Sequence, residues 1–220
     1  MKERIVVFGT GDIAQLANYY FEIDSNYTVE AFSVDGMFVR EDHFEKRSVV
    51  PFEEILRYYP PESFKLFVAL SYNSMNRLRA WKYEEAKLKG YKLVSYVSSK
   101  CNYLSTNKCG DNCLILEDNT IQPFVSIGNN VTLWSGNHIG HHSVIRDHNF
   151  ISSHVVISGH CVIEPYCFFG VNSTLAHNVH IAEGTLLGAG AIVTKDTQRE
   201  RVYVPPPSVI IEKKSDQIKL

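Results

Sequence analysis

Residues 139–175 read IGHHSV IRDHNF ISSHVV ISGHCV IEPYCF FGVNST L, and a bulky apolar residue opens each group of six. The beat extends in both directions: Ile115, Ile121, Ile127, Leu133, Ile139, Ile145, Ile151, Ile157, Ile163, Phe169, Leu175, Ile181, Leu187 and Val193. A period of six matches neither the 3.6 of a helix nor the alternation of a long strand. It fits a chain that turns a corner every six residues and points one side chain inward, a parallel β-helix of hexapeptide repeats. The residue after each apolar one is often small (Gly128, Gly140, Ser152, Gly170, Gly188), which suits a corner where the backbone takes unusual angles. Four residues after it stands a second compact side chain, such as Val125, Ser143, Cys161 or Cys167, also expected inside. With three repeats per coil, residues eighteen apart stack at the spacing of paired strands, about 4.8 Å.

The chain has 220 residues, so the repeats leave room for a second domain. A net charge of −2 without a basic run carries no electrostatic footprint for nucleic acid. No apolar stretch approaches the roughly 20 residues of a membrane span, and MKERIVVFGTGD opens as a strand, not as a signal peptide. A cytoplasmic protein with small-molecule partners is expected. Five cysteines is an odd number, Cys161 and Cys167 fall at inward positions, and Cys109 with Cys113 is too sparse for a zinc site.

From the amino terminus, strands are expected at 4–8, 28–34, 64–70 and 92–97, with helices to about Phe21, from Pro51 and over 75–89. Alternation of this kind predicts a small parallel, Rossmann-like βαβ sheet. The turn GTGDIA (Gly9, Gly11, Asp12, Ala14) offers backbone N–H groups and a helix amino terminus to a phosphate, and Asp35 ends the next strand where a ribose or base could be met. Four strands make about half a dinucleotide fold, so a sugar nucleotide fits better than a nicotinamide dinucleotide. A glycine turn that merely packs strand on helix is the plain alternative. The expected organisation is an α/β domain over 1–103, a left-handed β-helix over 104–197 and a tail over 198–220 (with VYVPPPSVIIEKKSDQIKL) that covers the open end without extending it.

Six of the nine histidines lie between 138 and 160. His142, His148, His154 and His160 all stand three places after the apolar residue, on successive corners, and only His142 and His160 share one. Three readings compete: tolerated corner residues, ligands that meet on zinc between subunits, or one general base. His141 is the best base, because Gly140 before it and Gly159 one coil along leave space beside its ring.

VVFGTGD, FVALSYNSMNRLRAWKYEEAKLKGYKLVSYVSS, IGHHSVI, CFFGVNSTL and LLGAGAIVTKD, in this order, resemble the hexapeptide acyltransferases of the sialic-acid O-acetyltransferase type, which include N-acetyltransferases for nucleotide-linked amino sugars of the bacillosamine and perosamine kind. The resemblance covers nearly the whole chain. It implies acetyl-CoA-dependent N-acetylation of a UDP-, dTDP- or GDP-linked amino deoxysugar for surface glycans such as O-antigen, in a homotrimer. It implies His141 as catalytic base, and Gly188, Ala189 and Gly190 beside the pantetheine arm, with Gly159 and Gly170 in the same cofactor-binding set. Gly9, Gly11, Asp12 and Asp35 are implied to hold the nucleotide. His142 stands where some members carry an acidic residue, and is counted with His141 in the catalytic set. VPPPS departs from the glycine-containing tail of relatives. No metal ligand is assigned. O-acetyl transfer, transfer of another acyl group and a zinc-dependent β-helical hydratase are the alternatives.

Overall fold

A computed structural model of the chain describes residues 2–218; the last two residues of the expected tail lie outside them. The amino-terminal sheet is built from β1 (Glu3–Phe8), β2 (Tyr27–Val34), β3 (His43–Phe44), β4 (Arg47–Pro51) and β5 (Lys65–Val68), in the order β3-β4-β2-β1-β5. All pairs are parallel except β3 with β4. Helices α1 (Asp12–Ile23), α2 (Ile55–Tyr58) and α3 (Arg77–Leu88) complete the layer. The fourth strand expected at 92–97 does not join this sheet as a strand. Leu93 makes one bridge to Leu66, and Tyr96–Val97 pairs instead with Leu114–Ile115. The sheet gains β4 instead on its opposite side, next to β2, in a stretch whose pattern does not announce a strand.

Behind it rises the left-handed parallel β-helix, with three sheets of four, seven and six short strands. Strands eighteen residues apart pair in register, as in Ile127↔Ile145, Leu133↔Ile151 and Ile139↔Ile157. The opening residue of every hexapeptide is buried, and so are the compact residues four places on. Their side chains fill one continuous core.

The corners work differently from the expectation. Left-handed backbone falls three places after the apolar residue, at Asn130, His142, His148, His154, His160, Asn172 and Asn178 among others, with φ between 55° and 62°. Asn and His tolerate that region better than most side chains. Gly128, Gly140, Gly170 and Gly188 are not left-handed. They are small because the next coil lies against them: a Cβ at Gly140 would stand 2.5 Å from Gly159 N, and one at Gly170 2.5 Å from Ala189 N.

The coil also begins before, and ends after, its expected limits. Tyr96–Val97 and Asn102–Tyr103 already pair with it, ahead of the junction expected at 104. At the far end Val202–Tyr203 pairs with Leu186–Leu187, so the tail does add a rung before its exposed remainder. The neighbouring edge is finished by side chains. Asp196 accepts from His180 N–H at 2.8 Å, and Thr197 Oγ1 accepts from Ala182 N–H at 2.8 Å.

Sheet and β-helix share a core. Leu114 and Leu116, on the outside of the first coils, pack with Ile5, Phe21, Phe67 and Tyr96. Asn112 exchanges hydrogen bonds with the backbone of Val68, and Asn76 Nδ2 donates to Cys167 O at 3.0 Å. Arg79 of α3 is fully buried among oxygens: it donates to Thr132 Oγ1 at 2.5 Å, Asn76 Oδ1 at 3.1 Å and Asn149 O at 3.2 Å. Burial without a carboxylate partner pushes its pKa down to about 10.

Candidate active site

One corner of the β-helix gathers four imidazoles. His141 and His142 are consecutive, and the coil repeat lays His160 over His142 and His177 two coils beyond His141. The His142 and His160 rings are stacked, 4.8 Å between centroids and 6° from parallel. Phe124 covers the other partner, with its centroid 4.6 Å from that of His142. His177 lies 5.3 Å from His160 and 6.4 Å from His141, again by centroids. His148 and His154 stay on other corners, while the column of 141, 159 and 177 runs beside that of 142 and 160, and these two columns meet within one chain.

His141 is held on several sides. Its N–H donates to Gln122 Oε1 at 2.8 Å, and its carbonyl accepts from His160 N–H at 2.9 Å. Its ring crosses the space above Gly159, where a Cβ would come within 2.8 Å of Cε1 and Nε2. Any larger residue at 159 displaces the ring. Nδ1 lies 3.0 Å from His142 Nδ1, a separation at which one nitrogen donates and the other accepts. Among the described residues Nε2 has no hydrogen-bond partner, so it is free to take a proton from a bound group. Desolvation first, and then the neighbouring His142, His141 and His177, hold the His160 pKa below the ordinary histidine value.

Two histidines outside this corner have structural partners. His148 is buried, bonded to Asn130 Nδ2 at 3.0 Å and stacked on Tyr166, and burial lowers its pKa. His180 Nε2 meets Glu164 Oε1 at 3.1 Å.

The glycines named from the sequence separate into three kinds. Gly159 is the shelf under His141, and Gly170 and Gly188 are contacts between coils. Gly190 has φ +72° and open space at its Cβ, with only Pro205 Cγ at 4.0 Å. It lines a groove of about 480 Å³, together with Ala191, Ile192, Tyr203 and Pro205. Ala189 does not line that groove; its backbone N faces Gly170.

In the sheet domain Gly9 has φ +125°, and a Cβ there would stand 2.7 Å from Ala69 O, so backbone angle and packing together require glycine. Gly11 precedes α1, has nothing near its Cβ, and lines a groove of about 500 Å³ with Thr10, Val34, Phe38, Arg40 and His43. Asp12 is exposed at the helix start outside that groove, and Asp35 is outside it too. Lys82 of α3 explains Asp35: its Nζ, nearly buried, reaches Asp35 Oδ1 at 2.5 Å and Glu85 Oε2 at 2.7 Å. Arg40 and Lys82 escaped the sequence reading. Arg40 sits in a loop without pattern, and Lys82 is one of several cations on a helix whose buried face only the fold reveals.

No protein-family model matches the chain, and no curated protein does. Solved structures match along almost all of it. The acetyltransferase domain of PglB from Neisseria gonorrhoeae, in complex with acetyl coenzyme A, superposes with a TM-score of 0.82 at 17% identity, covering 96% of this chain and 100% of that one. WeeI from Acinetobacter baumannii gives 0.78 at 18% identity, over 94% and 100%. The likeness is one of fold. A mutant of perosamine N-acetyltransferase from Caulobacter crescentus, in complex with CoA and GDP-perosamine, follows at 0.66 and 19% identity, over 97% and 98%. The shared architecture includes both the sheet domain and the β-helix.

Proposed function

We propose that the chain is an acetyl-CoA-dependent N-acetyltransferase acting on the amino group of a nucleotide-linked amino deoxysugar. The observation that carries the proposal is His141: an imidazole on a glycine shelf, Nδ1 engaged by His142 and Nε2 free, in a fold shared with an acetyltransferase that binds acetyl coenzyme A and another that binds CoA and GDP-perosamine.

The sugar nitrogen attacks the thioester carbonyl while its proton passes to His141 Nε2. As the tetrahedral intermediate collapses, the C–S bond breaks and the sulfur leaves as a thiolate, which recovers the proton. The Nδ1 pairing with His142 fixes the ring and favours Nε2 as acceptor. General-base action contributes about 10²- to 10⁴-fold, and joint placement of both substrates at least as much. The groove at Gly190 has room for an extended, largely apolar arm such as pantetheine, and the Gly11 groove with Arg40 suits a diphosphate. Acetyl-CoA is thus a co-substrate and no metal enters the reaction.

A homotrimer belongs to the same proposal. Phe124, Val156, Val171 and Ile192 leave apolar surface exposed on the β-helix, as a subunit contact requires. No helix is long and apolar enough to cross a membrane. A cytoplasmic setting, where both substrates occur, accords with five free thiols.

The test is acetyl transfer from acetyl-CoA to a panel of UDP-, dTDP- and GDP-linked amino sugars. His141→Ala is expected to lower turnover by at least about 100-fold with an unchanged melting temperature. Near-normal turnover in that variant removes His141 from the role, and transfer to hydroxyl sugars alone makes the enzyme an O-acetyltransferase.

A further inference from the structure

The corner at His141 holds more imidazole than a base and its neighbour need. His141, His142 and His160 bring one ring nitrogen each to within 4.8 Å of the others, and all three are solvent-exposed. Zinc held by imidazole at about 2.0–2.1 Å in tetrahedral geometry places its ligand nitrogens roughly 3.3 Å apart. His141 Nδ1 and His142 Nδ1 are already 3.0 Å apart. The His142 and His160 rings are stacked 6° from parallel, so His160 closes the remaining gap by swinging out of that stack.

The backbone under these rings is fixed. His142 and His160 occupy equivalent left-handed corners, φ 59° and 60°, one coil apart, and His160 N–H is bonded to His141 O. Binding therefore orders little that is not ordered already. A fourth imidazole, His177, stands 5.3 Å from His160 by ring centroids.

We infer that His141, His142 and His160 form a site for a borderline transition-metal cation, Zn²⁺ foremost, and that its occupation inhibits the enzyme by taking the base out of use. An all-imidazole donor set selects Zn²⁺ and its neighbours in the first transition row over Mg²⁺ and Ca²⁺, which require oxygen ligands. The cation takes the lone pair of His141 Nδ1, so the ring proton of the neutral imidazole moves to Nε2, which can then no longer accept one. Inhibition rests on the functional reading above; binding does not.

The experiment uses the full chain, stripped with a chelator and titrated calorimetrically with ZnCl₂ and with MgCl₂. One equivalent of Zn²⁺ is expected to bind in the micromolar range and Mg²⁺ not at all. His160→Ala, with circular dichroism and melting temperature as folding controls, should bind Zn²⁺ at least about tenfold more weakly. In acetyl-transfer assays Zn²⁺ should inhibit the wild type and EDTA should restore it, while the turnover that His160→Ala retains should resist Zn²⁺ at concentrations that inhibit the wild type. Absence of Zn²⁺ uptake, or uptake indifferent to His160→Ala, overturns the site. Activity abolished by EDTA overturns the inhibitory role. His160-dependent binding in a protein that transfers no acetyl group retains the site and removes the functional reading instead.

Discussion

Glycine at 170 and glycine at 190 answer different demands of the same coil. At 170 the next turn of chain lies where a side chain would begin, 2.5 Å from Ala189 N, and backbone cannot step aside. Gly170→Val is therefore expected to destabilise by about 1–3 kcal/mol through overpacking. At 190 the space is open and only the left-handed φ of +72° resists a side chain, so Gly190→Ala should cost nearer 1 kcal/mol. Urea unfolding of both variants distinguishes the two causes. The sequence shows small residues in both places and cannot say which demand each one meets.

Among the elements, the β-helix was readable because one inward side chain recurs at a fixed period, and nothing outside the hexapeptide is needed to place it. The sheet domain was less so. Residues 92–97 have the apolar content of a strand, yet they divide their backbone: Lys92 and Val94 bond Leu66 of the sheet, while Tyr96–Val97 pairs with the first coil, and Val94 and Tyr96 share one apolar core. The ladder Asn112, Asn130, His148 could be predicted as a column from the eighteen-residue offset, but not its hydrogen bonds. His148, neutral and buried in that ladder, has a lowered pKa, so the unfolded chain binds its proton more tightly. Its contribution to stability is present above about pH 6.5 and is lost as pH falls through that value toward the folded pKa. His148→Asn keeps a residue that tolerates the left-handed corner and should flatten the stability profile below about pH 6.5, as followed by thermal unfolding.

For the whole molecule, the shared core means that the sheet domain and the β-helix are one cooperative unit. Arg79 is the strongest single tie, since it satisfies oxygens on α3 and on two coils. Arg79→Ala leaves those buried acceptors without a donor and should destabilise by about 3 kcal/mol. Denaturation followed by tyrosine fluorescence and by circular dichroism should still give one coincident transition; two separate transitions in the wild type would show that the domains fold independently. The candidate corner was legible to the extent that His141, Gly159 and His177 share a column. The pairing of Asp35 with Lys82 was not, because α3 reaches β2 only through the fold.

The finish of the β-helix bears on how these molecules behave in a crowd. A stack of parallel strands in register is a template, and its last strand presents the donors and acceptors that another chain's strand would use. On the His180–Ile181 edge those N–H donors are already satisfied by Asp196 and Thr197 from the same chain, while Val202–Tyr203 covers the adjacent sheet. End-to-end stacking is thereby denied two of the three strand edges at this end of the coil, while Ile192–Val193 ends its own sheet without a covering strand among the described residues.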